Sequence, residues 1–370
     1  MSRRVPRADE LAIGRPLPCD VYDDRGLLLL RAGALITSAS QLEKLTRQLF
    51  ADKPPSPPPP SELPRHSALG LVLAARQRLQ ALLGAPPNPD FPRELLRIAG
   101  MVRRACHVNA EVALASILLQ RDDPYAVRHP IDAAIVCQVA GATMALSAAE
   151  LTATMAAALT MNIGMFELQQ ELQACEAPLS DEQHAAVRTH CERSVSLLRD
   201  REVTDPLWLH AVRDHHERAD GDGYPRGKTG ASLARSTQLL SLADIYCARV
   251  SGRDYRPPVL PTVAMRWLFQ SDGTQADPRL SALFIRALGV HPPGTGVRLR
   301  SGSIAVVTHR GAGGHPPRVA SITTHDGLRL GRPIRRGDEL PAHAISDVVD
   351  LDALALEVSM EALWGADASA

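Results

Sequence analysis

The sequence predicts a mainly α protein, a helical bundle with a small β-rich domain before it and a short β appendage after it. Apolar residues recur at helical spacing through the long middle of the chain, whereas both ends carry alternating or β-branched runs. A proline-rich run, ADKPPSPPPPSELP, is typical of a semi-rigid linker. We therefore expect four parts: an N-terminal β/α domain at residues 1–50, the linker at 51–64, a helical domain at 65–290, and a β extension with a tail at 291–370.

The N-terminal part contains two strand-like runs and one helical segment. Residues 15–22 and 27–36 are the predicted strands, and the sequence DDRG at 23–26 is the predicted turn between them. A helix is predicted over residues 41–50, where the apolar residues change to helical spacing. These elements together indicate a small β/α unit.

The middle of the chain carries nine segments whose apolar residues fit a period of 3.6. Ser180 precedes one segment and Gln183 follows three residues later, which is the pattern of a helix-capping box. Helices with one apolar stripe each can bury a common core, so the pattern predicts a bundle. The segments are residues 71–83, 91–120, 130–144, 148–158, 181–199, 206–217, 237–250, 261–269 and 279–288.

The C-terminal part changes to a strand pattern after the Pro-Pro-Gly sequence at 292–294. Residues 297–308, 318–323 and 328–332 alternate in polarity or are β-branched, and glycine-rich turns separate them. We expect a short meander of strands there, followed by one helix within the last 20 or so residues.

Composition limits the classes of partner and compartment. Lys plus Arg and Asp plus Glu number 41 each, so a uniformly basic nucleic-acid-binding surface is excluded and no DNA partner is expected. The six cysteines form no CxxC pair, which favours a reducing compartment. The longest mostly apolar stretch, residues 151–164, contains Thr and Asn and is too short to cross a bilayer. We therefore expect a cytoplasmic protein without a membrane span.

The most informative segment is DHHERADGDGYPRG at residues 214–227. His215 and His216 end a predicted helix, and a glycine-rich loop follows that lets the backbone approach a ligand closely. A solvated turn is the plainer alternative, and a calcium loop is disfavoured because Ala231 stands where it needs a Glu. The candidate ligand-contacting residues of the loop are Asp220, Gly223, Tyr224 and Pro225.

This segment resembles the signature of the HD-GYP family, a branch of the HD phosphohydrolases. Members of that family are helical, bind two or three iron or manganese ions, and hydrolyse the bacterial second messenger cyclic di-GMP. The resemblance covers roughly residues 100–290 and implies an HD-type helical bundle. The two flanks resemble small β units that accompany such domains in some bacterial signalling proteins.

The resemblance implies a ligand set when it is carried over position by position. The metal-binding positions fall on His129, His190, His215, His216 and Asp244. The sequence RDYR stands where the family has a phosphate-binding string, which implies that Arg253 and Arg256 contact the phosphates of a nucleotide.

The departure from the family pattern lies in the dyad that names the superfamily. The family has LLHDIGK, whereas this chain has LTMNIGM, so the dyad positions are Met161 and Asn162 and the lysine position is Met165. A neutral amide is a poor bridge between two divalent cations, and a thioether is a weak ligand for iron(II), manganese or magnesium. We therefore identify no catalytic residue at the dyad positions.

Three histidines remain that could hold one metal. The resemblance assigns His190, His215 and His216 mainly to one ion, and His129, the dyad and Asp244 mainly to the other. Three imidazoles suffice for one iron, manganese or zinc ion. The alternative is that each histidine is packed and hydrogen-bonded in the bundle and that no metal binds.

These observations lead to one preferred function and two alternatives. We expect a degenerate HD-GYP protein that acts as a receptor for cyclic di-GMP or a related dinucleotide, or as a scaffold for a signalling protein, with little or no hydrolysis. One alternative is an active metal-dependent phosphodiesterase with an altered metal site, so enzymatic activity stays open. The other is an HD-like interaction scaffold that binds no nucleotide.

Overall fold

The chain forms two compact units, Met1–Arg65 and His66–Ala370. The computed structural model describes residues 11–22, 28–50, 67–86, 88–173, 180–252, 258–270, 277–311, 315–337 and 340–370. The predicted turn at 23–26 and the predicted linker at 51–64 lie outside these residues. The predicted domain boundaries at 50, 64 and 290 stay predictions.

The smaller unit combines a two-stranded antiparallel sheet with one helix. Strand β1 (Val21–Tyr22) pairs with β2 (Leu28–Leu30), and helix α1 spans Ala39–Phe50. Both strands are shorter than the predicted runs, because the flanking residues form only isolated bridges and the register shifts inside β1. The buried core of this unit consists of Leu11, Leu17, Val21, Ile36 and Leu45.

The larger unit is mainly helical, as predicted. Two of its helices begin with a cap that the sequence encodes, since both Ser147 and Ser180 form capping boxes with the residue three positions later. The helices are α2 (Ala68–Leu83), α3 (Phe91–Leu119), α4 (Tyr125–Thr143), α5 (Ala148–Thr160), α6 (Phe166–Gln173), α7 (Asp181–Asp200), α8 (Pro206–Asp214), α9 (Arg235–Val250), α10 (Pro261–Gln270) and α11 (Pro278–Leu288).

Helix α4 is the central helix of this bundle. It packs against α3, α5, α9 and α11, and most of its residues are buried. The sequence predicted its start at Pro130, because proline favours a first helical turn. The helix begins five residues earlier, at Tyr125, and Pro130 lies inside it. The additional turn includes His129, whose side chain is buried in the core.

A five-stranded antiparallel sheet follows the helices, in the order β6-β5-β4-β3-β7. Its edge strand β7 was not predicted, because ISDV is short and half exposed. One face shares a core with α2 and α3, where Ala68 and Val112 meet Ile304 and Val306. The strands are β3 (Gly296–Leu299), β4 (Ile304–His309), β5 (Arg318–Thr323), β6 (Arg329–Arg336) and β7 (Ile345–Val348), and helix α12 spans Met360–Trp364.

One stretch of the described residues, Ala148–Glu171, passes a length-and-composition test for crossing a membrane. A short 3₁₀ turn at Ile163–Met165 interrupts it, and 61% of its most apolar window is buried inside the protein. Because buried core helices pass the same test, this stretch is weak evidence for a membrane span.

Candidate functional site

His190 and His215 approach each other in the interior of the bundle. His190 lies on α7 and His215 directly follows α8, and both are almost completely buried. His190 Nδ1 donates to the carbonyl of Val187 at 2.5 Å, and His215 Nδ1 donates to the carbonyl of Val212 at 2.7 Å. These bonds leave both Nε2 lone pairs free, and the two Nε2 atoms are 3.4 Å apart.

His216 and Cys191 complete a group of four metal-capable side chains. One donor atom from each of the four residues lies within 4.8 Å of the others. The Cys191 sulfur is 3.6 Å from His190 Nε2, and the His216 ring contacts the ring of Tyr224 with centroids 4.7 Å apart. The ligand set drawn from the sequence did not include Cys191. Its adjacency to His190 was the available signal.

Burial keeps the imidazoles of this group in their neutral form. Burial and, as a smaller cause, the neighbouring His215 lower the pKa of His190 to about 4. Burial also lowers the pKa values of His215 and His216 below the ordinary value. A neutral imidazole with a free Nε2 is the form that binds a transition metal, so the three imidazoles can accept a cation near neutral pH. Burial raises the pKa of the Cys191 thiol, which loses its proton only when it binds a metal.

His129 and Asp244 form a second cluster beside the first. His129 Nε2 donates to Asp244 Oδ1 at 2.8 Å, and the other carboxylate oxygen lies 3.9 Å from His216 Nδ1. Burial acts to raise the pKa of Asp244, but the His129 hydrogen bond and the nearby imidazoles lower it below its usual range. The Tyr125 ring stacks on His129 with centroids 4.9 Å apart. All five predicted ligand positions therefore lie in one connected cluster.

Met161 and Asn162 lie between α5 and α6. Met161 is fully buried, and Asn162 is 6% exposed. The Ser194 hydroxyl accepts from the Gly164 amide and donates to the Met161 carbonyl, both at 2.9 Å, which holds this segment against α7. Asn162 Oδ1 is buried and accepts no hydrogen bond from the residues that the structure describes. The dyad segment thus keeps its place but offers no carboxylate.

The loop after His216 is fastened by a buried glutamate. Glu217 is 2% exposed and accepts hydrogen bonds from the amides of Arg226 at 2.7 Å and Lys228 at 2.8 Å. The Tyr224 amide donates to the His216 carbonyl at 3.1 Å, which holds its ring on the histidine. A side chain at Gly223 would collide with the backbone at Glu217, so glycine is required there.

Asp214 fastens the same loop from the end of α8. Its buried carboxylate forms ion pairs with Arg213 at 3.0 Å, Arg226 at 3.1 Å and Lys228 at 2.7 Å. Sequence reasoning missed both Asp214 and Glu217 as positioning residues. The available signal was a pair of acidic residues on either side of the two histidines.

The other predicted loop and phosphate contacts divide in three ways. Tyr224 lies against the histidines, whereas Asp220 pairs with Arg218 at 3.1 Å on the loop surface. Pro225 is partly exposed and follows a cis peptide bond. Arg253 and Arg256 lie outside the described residues.

Comparisons with known proteins identify the domain. Residues 112–280 match the family model described as HD domain. The cyclic di-GMP phosphodiesterase PA4108 of Pseudomonas aeruginosa is 27% identical over 54% of this chain and 48% of its own length. The 3'3'-cGAMP-specific phosphodiesterase 3 of Vibrio cholerae is 26% identical over 47% of this chain and 38% of its own length. The chain thus spans less than half of each relative.

A solved structure supports the fold. Bd1817, described as an HDG"Y"P protein from Bdellovibrio bacteriovorus, superposes with a TM-score of 0.51 at 14% identity. The match covers 75% of this chain and 97% of that one, and at this identity it shows the fold alone. The HD match includes every predicted metal position, and domains of this family bind divalent metals. The match of residues 112–280 to the HD domain model, together with the names of the relatives, confirms the resemblance of this part of the chain to the HD-GYP family.

Proposed function

We propose that this protein is a receptor for a cyclic dinucleotide of the cyclic di-GMP class, with at most one bound transition metal and little or no hydrolase activity. The observation that carries the proposal is the buried Met161–Asn162 pair at the dyad position. Hydrolysis by two metals needs an anionic bridge that holds the ions about 3.5–4 Å apart. A neutral amide and a thioether supply neither the charge nor the hard oxygen ligand that such ions prefer.

The geometry of the histidines supports a single metal. His190, His215 and His216 lie around one point with neutral imidazoles, whereas the nearest carboxylate, Asp244, is bonded to His129 at 2.8 Å. Among the described residues, the group dense enough to hold a cation contains His190, Cys191, His215 and His216. We propose these three histidines as its imidazole ligands.

The names of the relatives support a dinucleotide ligand. Several are named for cyclic di-GMP, and two are named for 3'3'-cGAMP. Such a ligand carries two negative phosphates, and the chain has no net charge to attract it. Arg226 and Lys228 already pair with Asp214 in the loop. We therefore propose Arg253 and Arg256 as the main phosphate contacts and Tyr224 as a wall of the pocket.

The same names favour one rival, an active phosphodiesterase with a one-metal site. Calorimetric titration of cyclic di-GMP, with metal content and turnover measured on the same sample, separates the two. We expect binding without turnover, and Arg253→Ala should weaken binding at least about tenfold, since losing a charged partner costs about 2–5 kcal/mol. Arg93→Ala is the matched control, because that side chain is 71% exposed.

A revertant tests the physical reason for the missing turnover. Met161→His combined with Asn162→Asp should raise the metal content from about one to about two ions per chain, because a carboxylate bridge is restored. Robust turnover by the unmodified protein that disappears in His215→Gln would establish the phosphodiesterase instead. If cyclic di-GMP binds neither the unmodified chain nor the variants Arg253→Ala and Arg93→Ala, the interaction scaffold without nucleotide is correct.

A further inference from the structure

Cys191 is placed as a metal ligand rather than as core filling. It is completely buried on α7, and its sulfur lies 3.6 Å from His190 Nε2, the nitrogen that faces the common point. We propose that Cys191 is the fourth ligand of the metal held by His190, His215 and His216, and that the resulting site is a closed, four-coordinate zinc site. This inference rests on the one-metal part of the proposed function.

The distances between donor atoms match those of a tetrahedral zinc site. Zn–N bonds of about 2.0–2.1 Å and Zn–S bonds of about 2.3 Å separate two nitrogens by about 3.4 Å and a nitrogen from a sulfur by about 3.6 Å. The observed separations are 3.4 Å between the Nε2 atoms of His190 and His215, and 3.6 Å between His190 Nε2 and the sulfur.

The remaining donors need only small movements. All four residues already place one donor atom within 4.8 Å of the others, so contraction to tetrahedral separations requires shifts of about 1 Å. The carbonyls of Val187 and Val212 hold the Nδ1 atoms of two rings, which directs Nε2 toward the common point. The site is therefore preorganised by groups that do not bind the metal themselves.

The donor set determines both the metal and the chemistry. Three imidazoles and one thiolate are softer than the carboxylate and water ligands that suit manganese or magnesium, so zinc is favoured. Four protein ligands close the coordination sphere, as in structural zinc sites, and leave no position for an activated water. The thiolate thus gives a second reason for weak hydrolysis, independent of Met161 and Asn162.

Cobalt(II) substitution tests the thiolate directly. The full-length protein is stripped with a chelator and reloaded with cobalt(II), which reports a thiolate ligand through a charge-transfer band in the near ultraviolet. We expect this band together with the intense visible bands of tetrahedral cobalt. Cys191→Ser should remove the charge-transfer band and weaken zinc binding at least about tenfold. Cys106→Ser is the matched control, because Cys106 is also a buried helical cysteine but lies outside the four-residue group.

Each outcome supports or overturns the inference. Zinc preference alone does not decide it, because zinc exceeds iron(II) and manganese at most nitrogen sites. Cobalt binding without the charge-transfer band, or a band that persists in Cys191→Ser, overturns it. If the serine variant does not fold, the spectrum of the unmodified protein still decides. A chain that shows the band but binds no dinucleotide would keep this inference and refute the proposed receptor function.

Discussion

The two halves of the histidine cluster use their donor atoms in different ways. The four-donor half consists of His190, Cys191, His215 and His216, whose donor atoms converge within 4.8 Å. The paired half consists of His129 and Asp244, which bond to each other at 2.8 Å. The family resemblance assigns the dyad positions to the same half. One half directs lone pairs at a common point, whereas in the other the His129–Asp244 hydrogen bond occupies His129 Nε2 and one carboxylate oxygen, and His129 Nδ1 has no partner among the described residues.

This difference shows how a metal site can be lost in part. A cation that enters the paired half has to break the bond between His129 and Asp244 and finds a neutral amide where a bridging carboxylate would stand. A cation that enters the four-donor half disturbs only the 3.9 Å contact between His216 Nδ1 and Asp244, because the Nδ1 atoms of His190 and His215 are held by carbonyls. Metal affinity should therefore differ strongly between the halves.

The largest expected effect compares one histidine from each half. His215→Gln should lower metal affinity at least about 100-fold, because changes to outer-shell partners alone already cost about 10–100-fold. His129→Gln should leave the metal content near one ion per chain, since its amide can still donate to Asp244. Elemental analysis of both purified variants, with circular dichroism as a check of folding, gives the comparison.

The same experiment can break the comparison. Equal loss of metal from both variants would mean that one ion, or a bridged pair, spans the two halves. The proposed one-metal site would then be wrong, and the contact of 3.9 Å between His216 and Asp244 would become the candidate for the shared edge.

A smaller effect should follow from loosening the loop that supports the four-donor half. Glu217→Gln keeps one acceptor but turns an amide N–H₂ toward the second backbone donor, so one of the bonds to Arg226 and Lys228 is lost. We expect metal affinity to fall about tenfold, as for other supporting partners of metal ligands. The measurement is zinc affinity by competition with a chromophoric chelator.

Asp220→Asn serves as its control on the same loop. Asp220 pairs with Arg218 near the surface, and exposed ion pairs contribute about 0–1 kcal/mol to folding. Its metal affinity should match that of the unmodified protein. A tenfold loss in both variants would show that any disturbance of the loop lowers affinity, and would remove the specific role of Glu217.

Much of the fold follows from the periodicity of apolar residues. The predicted segments 71–83, 181–199 and 279–288 correspond to α2, α7 and α11 with bounds that agree within three residues. The failures have local causes. Pro130 misplaced the start of α4 because tertiary packing accommodates a proline in the second turn, and α6 is only eight residues long, too short for a clear period.

The candidate site was predictable where a motif carries it and hidden where only folding creates it. His190, His215 and His216 follow from the motif, and their convergence appears in the structure. Cys191 lies outside the motif, so its adjacency to His190 was the available signal, and a buried cysteine usually serves as a small apolar residue. Asp214 and Glu217 acquire their roles only when the loop folds back onto them, since their partners lie nine to fourteen residues further along the chain.

The smallest expected effect on the metal concerns the link between the two halves. Ser194 lies one turn beyond His190 on α7, and its hydroxyl bonds the dyad segment at Met161 and Gly164. Ser194→Ala leaves a buried amide and a buried carbonyl without that partner, so we expect about 1–3 kcal/mol less stability by urea unfolding. Metal affinity should stay unchanged, because no ligand of the four-donor half depends on this hydroxyl.

Thr189→Ala, on the exposed face of the same helix, is the control and should change stability by less than about 0.5 kcal/mol. A marked loss of metal in Ser194→Ala would show that the dyad segment, although it has lost its ligands, still sets the position of His190.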